Sequence, residues 1–190
     1  MFVSKEALPT IKKVCVTGPE CTGKTELSRF LATHYSTCWI EEYARAYLNK
    51  LGRPYQEHDL IKIAHGQLRM EDEWLRDSNR VMICDTNLIN IKIWSDFKYG
   101  SCDANILKQI SERTYDLYLL CYIDVPWIAD PLREHPDKRE DLWNIHKKEV
   151  VSTGVPFVEI NGDWPARQQK AIAAIDKILF YNHRRDAEAQ

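Results

Sequence analysis

Apolar and polar positions follow two rhythms along this chain. Short apolar runs ending in glycine or an acid predict strands at Lys13–Thr17, Thr37–Glu41, Val81–Cys84, Leu117–Ile123 and Pro156–Ile160. Between them, apolar residues recur at helical spacing. Leu27, Phe30 and Leu31 mark Lys24–His34, and Ala44–Leu51 stops at Gly52 with Pro54 beyond. Leu60, Ile63, Ala64, Leu68 and Leu75 stripe the segment Asp59–Asp77, and Trp164–Phe180 closes the series. The fourth run, Leu117–Ile123, is almost unbroken in apolarity, as a parallel strand covered on both faces should be. Strands alternating with helices predict an α/β fold: five parallel strands with helices on both faces. No repeat, low-complexity tract or linker divides the chain, so one domain over residues 1–190 is expected, with a frayed polar tail at 183–190.

Composition narrows the partners. The 26 Lys and Arg against 28 Asp and Glu give a net charge of -2, which offers no overall positive field for nucleic acid. The run Leu117–Ile123 is too short to cross a bilayer, and Met1–Lys13 carries charge and a proline where a secretion signal needs an apolar stretch. A cytoplasmic protein is expected, with no membrane partner. Of the 6 cysteines, Cys15, Cys84 and Cys121 sit inside strand-like runs. Cys21, Cys38 and Cys102 lie apart and no C-x-x-C pair occurs, so reduced thiols packed as small hydrophobes are expected rather than disulfides or zinc.

The most specific feature is Gly18-Pro19-Glu20-Cys21-Thr22-Gly23-Lys24-Thr25, which fits G-x-x-x-x-G-K-[ST] between a strand and a helix. Backbone N–H groups of such a loop curl around phosphate oxygens, and the helix that follows presents its positive end. Lys24 would reach the β- and γ-phosphates, and the Thr25 hydroxyl would ligate Mg²⁺. Asp85 ends the run Val81–Cys84 and is expected to orient the same ion; the plainer alternative is a helix cap. ATP and Mg²⁺ are thus the expected cofactors.

A nucleotide pocket serves switches, motors and transferases alike. The guanine-reading N-K-x-D is absent, and the chain is short for a ring-forming ATPase with an added helical domain. A charged, proline-punctuated segment follows the fourth strand, Asp130–Glu140, within a lid expected at about 127–141. Arg133 and Arg139 would neutralise charge on a transferring phosphoryl group there while closure excludes water. Glu41-Glu42-Tyr43-Ala44-Arg45, at the end of the second strand, faces the acceptor side of such a cleft. A carboxylate at that place would fix or deprotonate a substrate hydroxyl, and Glu42 and Asp85 both qualify. The plainer alternative for the acids is a helix start that complements the dipole.

These segments together resemble the ribosylnicotinamide kinase domain of the NadR-like P-loop family. The matching pieces are GPECTGKT at Gly18–Thr25, EEYARAYL at Glu41–Leu48, DTNL at Asp85–Leu88 and DVPWIADPLR at Asp124–Arg133, in the family's order. The resemblance implies ATP-dependent phosphorylation of the 5′-hydroxyl of nicotinamide riboside. Carried over, Lys24, Thr25 and Asp85 match the phosphate and Mg²⁺ positions, Glu42, Tyr43 and Arg45 the acceptor motif, and Trp127, Asp130 and Arg133 the lid. Trp127 is a candidate for stacking on the nicotinamide ring; Asn87, Trp94 and Tyr99 are alternatives. Some members carry an aromatic residue where Glu41 stands. Asn161 and Asp163, flanking Gly162, lie where related kinases hold adenine; the alternative is an ordinary turn. Bifunctional members carry a preceding adenylyltransferase domain, and with no H-x-G-H in this chain that activity is expected to be missing. A kinase for another nucleoside or small metabolite, and a non-catalytic nucleotide-binding regulator, are the competing readings.

Overall fold

Five short parallel strands form the middle layer, in the order β2-β3-β1-β4-β5. The computed structural model describes the backbone of residues 10–188 and the side chains of residues 10–180. The strands are β1 (Lys12–Thr17), β2 (Trp39–Ile40), β3 (Val81–Asp85), β4 (Leu117–Cys121) and β5 (Phe157–Ile160). The helices are α1 (Lys24–Tyr35), α2 (Tyr43–Leu51), α3 (Glu57–Trp74), α4 (Leu88–Tyr99), α5 (Ala104–Glu112), α6 (Arg139–Ser152) and α7 (Trp164–Glu188). The α/β class and the five parallel strands are as expected.

Alternation along β1 divides the core. Val14 and Val16 point to one face, where they pack with Leu27 and Leu31 of α1 and Ala171 and Ile175 of α7. Cys15 points to the other, with Met82, Cys84, Ile89, Ile93 and Leu142. All of these strand residues are fully buried, and each large aliphatic side chain so removed from water stabilises the fold by about 1.5–3 kcal/mol. Cys15, Cys84 and Cys121 are buried and all six thiols are free, in line with their reading as small hydrophobes.

Three helices lie outside the periodic segments read from the sequence. In α4, Ile89 and Ile93 face the sheet while Leu88 and Ile91 face a second cluster with Leu60, Ile63 and Ala64 of α3. A helix apolar on two sides shows no 3.6-residue stripe. In α6 the buried stripe of Leu142, Trp143 and Val150 includes His146, and α5 buries only Ile106. The second strand is shorter than expected because the Thr37 hydroxyl binds the Val81 carbonyl and receives the Asn79 N–H instead of extending a ladder. The last helix continues through Glu188, so the polar stretch from His183 extends a helix; its Arg, Ala and Glu residues are good helix formers. Residues 1–9, 189 and 190 lie outside the described residues.

Parallel pairing sets Val16 beside Asp85 and Thr17 beside Leu120, so the carboxyl ends of β3, β1 and β4 share one edge of the sheet. The loops that leave this edge build the site.

Candidate functional site

Strand β1 delivers the chain into Gly18, which adopts φ +134°. A β-carbon there would stand 2.7 Å from the Cys121 carbonyl oxygen, so only glycine fits between the loop and β4. Cys21 and Gly23 are also left-handed, at φ 57° and 79°, which curls the loop tightly before α1 begins at Lys24. Two short bonds lock the curl: the Thr22 hydroxyl and the Lys24 ammonium both donate to the Pro19 carbonyl, at 2.8 and 2.7 Å.

Below the loop, the Thr25 hydroxyl donates to Oδ2 of Asp85 at 2.6 Å. The other oxygen of Asp85 is buried with no hydrogen-bond partner. Burial, reinforced by the nearby negative charge of Glu42, pushes the Asp85 carboxyl up to about 6. A desolvated oxygen without a donor, beside a threonine hydroxyl, suits a hard divalent cation. Mg²⁺ takes one or two protein oxygens and completes its shell with water and phosphate. Among the described residues no three His, Cys, Asp or Glu side chains form a metal cage.

A cavity of about 450 Å³ runs from this loop toward the acceptor side. Its walls include Gly18 to Thr25 in full, Glu42 and Arg45 from the start of α2, Trp94 and Phe97 from α4, and Arg133 and His135 from the segment after β4. Glu42 is the N-cap of α2, makes no side-chain cap bond, and lines the cavity beside the phosphate loop. The segment Tyr122–His135 carries no helix or strand and crosses the cavity mouth, and α6 begins at Arg139. The expected lid of about 127–141 thus comprises most of this segment and the first residues of α6.

Of the residues singled out from the sequence, Gly18, Pro19, Glu20, Cys21, Thr22, Gly23, Lys24, Thr25, Glu42, Arg45, Trp94 and Arg133 line this one cavity. Others are placed elsewhere. Tyr43 packs its ring against Gly66 of α3 and sends its N–H to Gln67 Oε1, so it anchors α2 rather than facing the cavity. Asn87 is buried, caps α4 through the Ile89 N–H and donates to the Tyr118 hydroxyl. Asp130 pairs with Arg45 at 3.0 Å and accepts the Leu132 N–H, which ties the lid to α2. Trp127 lies under the Arg139 guanidinium, outside the cavity wall. Arg139 donates to the carbonyls of Cys21 and Val125, holding the phosphate loop to the lid base. Tyr99 packs among the apolar side chains around α3 and α4. Asp163 caps α7 through the Ala166 N–H and Asn161 accepts from Lys170, and neither lines the cavity.

Several residues that shape the site carry no sequence signature. Arg167 is 1% exposed and donates to the carbonyls of Thr22, Tyr122 and Gly162 and to the Asp124 carboxylate. It joins the phosphate loop, the end of β4 and the β5–α7 turn, mostly through main-chain acceptors that no pattern reveals. Asn90 accepts from the Thr17 hydroxyl at 2.7 Å and meets the ring of His146, whose burial drives its basicity down to about 4 and keeps it neutral. The Tyr55 hydroxyl receives Trp94 Nε1 at 2.7 Å and the Lys98 ammonium, and donates to Glu134 at 3.0 Å. Among the described residues no helix is long and apolar enough to cross a membrane.

Comparison with known proteins agrees with this geometry. The chain is 23% identical over 188 residues to the trifunctional NAD biosynthesis/regulator protein NadR of Escherichia coli, covering 94% of this chain and 45% of that protein. The chain thus spans about half the length of the curated relatives it matches. A crystal structure of NadR protein in complex with NR superposes with a TM-score of 0.71 at 22% identity, covering 88% of this chain and 49% of that one. Thymidylate kinase from Ehrlichia chaffeensis superposes at 0.58 with 12% identity, over 88% of this chain and 100% of that one. These likenesses show a shared fold. The family model described as AAA domain matches residues 13–167, from β1 through the phosphate loop, Asp85 and the lid into α7, and the chain belongs to that family.

Proposed function

We propose that this chain is a single-domain, ATP- and Mg²⁺-dependent kinase that phosphorylates the 5′-hydroxyl of nicotinamide riboside, giving nicotinamide mononucleotide. The observation that carries the reading is the shared cavity: the phosphate loop, Glu42 and Arg133 line one space, the Arg133 guanidinium resting on the Ile128 carbonyl. A pure nucleotide sensor needs the loop but neither of the other two. The similarity to NadR, over nearly the whole of this chain, supports the nicotinamide nucleoside as acceptor.

The residues divide the work. Lys24 and the loop amides hold the nucleotide phosphates, with α1 behind them. Thr25 and Asp85 would hold Mg²⁺, which would supply Lewis-acid neutralisation of phosphate charge. One oxygen of buried Asp85 is held by Thr25 and the other is left for the cation, whereas Glu42 stands in the cavity wall. Glu42 therefore orients the acceptor hydroxyl in line with the γ-phosphate and takes its proton, a task in which position counts more than basicity. Arg133 stabilises charge on the passing phosphoryl group, and Arg139 steadies the loop from behind through the Cys21 carbonyl. Trp94, in T-shaped contact with Tyr55 at 4.7 Å, gives the acceptor end a flat apolar wall for a pyridine ring. The reading places the protein among soluble cytoplasmic enzymes acting on small molecules.

Incubation with Mg-ATP and nicotinamide riboside, with products separated by mass, tests the assignment. Nicotinamide mononucleotide is the expected product. A panel in which other nucleosides are phosphorylated and nicotinamide riboside is not would move the substrate to the second reading, a kinase for another nucleoside.

A further inference from the structure

The phosphate loop contains a residue whose chemistry opposes its place. Glu20 is the third residue of the cradle, and a carboxylate there repels phosphate oxygens. Its own oxygens are occupied from the other side: Oε2 accepts the Glu134 N–H at 3.0 Å and Oε1 accepts the His135 N–H at 2.6 Å. Two consecutive lid amides thus close on one carboxylate, and charge-assisted bonds of this kind are roughly twice as strong as neutral ones.

The same two lid residues reach the opposite wall with their side chains. Glu134 accepts from the Tyr55 hydroxyl and lies 3.3 Å from the Lys98 ammonium, while the His135 ring meets Phe97 edge-on at 4.9 Å. Backbone bonds to the donor loop and side-chain bonds to the acceptor wall converge on one dipeptide.

We propose that Glu20 is the latch of the lid: a positioning residue that grips the amides of Glu134 and His135, rather than a phosphate ligand. Closure of the lid then depends on the donor loop and on the acceptor wall together. The kinetic consequence rests on the kinase reading above; the latch itself does not. With the latch broken, the acceptor wall loses its fourth side and the acceptor is held more loosely. The donor loop loses only a repulsive charge.

The latch is directly measurable because the Arg133–Glu134 bond, a trypsin site, uses one of the gripped amides. Limited trypsin digestion of the full chain, with cleavage at that bond followed by mass, is expected to run about tenfold faster in Glu20→Ala than in wild type. Glu20→Gln, which keeps one acceptor oxygen and the shape of the side chain, is expected to fall between them. Equal cleavage in wild type and both variants overturns the latch, and the glutamine variant carries the test if the alanine variant does not fold. In turnover with Mg-ATP and nicotinamide riboside, Glu20→Ala is expected to raise the acceptor KM about tenfold and leave the ATP KM unchanged or lower. The reverse pattern, a raised ATP KM with the acceptor KM unmoved, returns Glu20 to the phosphate cradle and overturns the proposal. Faster cleavage in Glu20→Ala from a chain that leaves nicotinamide riboside unphosphorylated supports the latch and refutes the substrate assignment instead.

Discussion

The donor cradle and the acceptor wall are built in opposite ways. The cradle is made by eight consecutive residues, Gly18 to Thr25, whose locking bonds span three to five positions, such as Thr22 to Pro19 and Lys24 to Pro19. The acceptor wall is gathered from α2, the α2–α3 loop, α4 and the lid, and its bonds join residues far apart in the chain, such as Arg45 with Asp130 and Tyr55 with Glu134. The cradle reads phosphate with backbone, which every nucleotide shares. The wall reads one acceptor with side chains, which can change without disturbing the cradle. A fold with this division can change its side-chain wall without disturbing the cradle, and the fold itself is shared with NadR and thymidylate kinase.

The largest expected effect follows from the tightest place in the cradle. Gly18→Ala sets a β-carbon 2.7 Å from the Cys121 carbonyl at a φ of +134°. The backbone of the loop must move, and we expect a stability loss of about 2–4 kcal/mol with no detectable ATP binding. Thermal melting and calorimetric titration with ATP check this; wild-type binding in the variant would mean that the loop geometry is not what holds the nucleotide. Disturbing the wall is expected to act more narrowly, on acceptor affinity, as the Glu20 variants test.

How far each region can be read from sequence follows from the same contrast. The glycines, lysine and threonine of the cradle are neighbours in the chain, so their spacing announces them. The strands were equally legible, because β3 and β4 are buried on both faces and their runs are almost unbroken in apolarity. Helix α4 was not, since Ile89 and Leu88 bury opposite faces and leave no stripe. Tyr43 and Asn87 stand inside motifs that face the site, yet the structure uses Tyr43 to fill the space over Gly66 and Asn87 to cap α4. Motif membership marks the neighbourhood; direction is decided by packing. Tyr55, Lys98 and Arg167 lacked any signal because their partners, among them Trp94, Glu134, Asp124 and main-chain carbonyls, are brought near only by the fold.

The smallest expected effect concerns the cost of the cradle's buried acid. In the protein without nucleotide, the Asp85 carboxyl titrates near 6, above its ordinary value of 3.8. The folded state therefore holds that proton more tightly than the unfolded chain does. Charged Asp85 costs stability in full above about pH 6, and the cost fades as pH falls toward about 4. Asp85→Asn is thus expected to melt higher than wild type at pH 8 in chelator, by about 1 kcal/mol, with the gap closing near pH 4. A variant less stable than wild type at pH 8 would contradict this cause of the shift. The same variant is expected to lose Mg²⁺-dependent turnover, so the buried charge is kept for function at the expense of stability.

The central claim is that the phosphate loop and the Glu42 carboxylate serve one reaction in one cavity. Glu42→Gln keeps the shape of that wall and removes its negative charge. Measured turnover with Mg-ATP and nicotinamide riboside is expected to fall at least about 100-fold in this variant, with ATP affinity unchanged. Turnover equal to wild type would separate the two halves of the cavity and contradict the account.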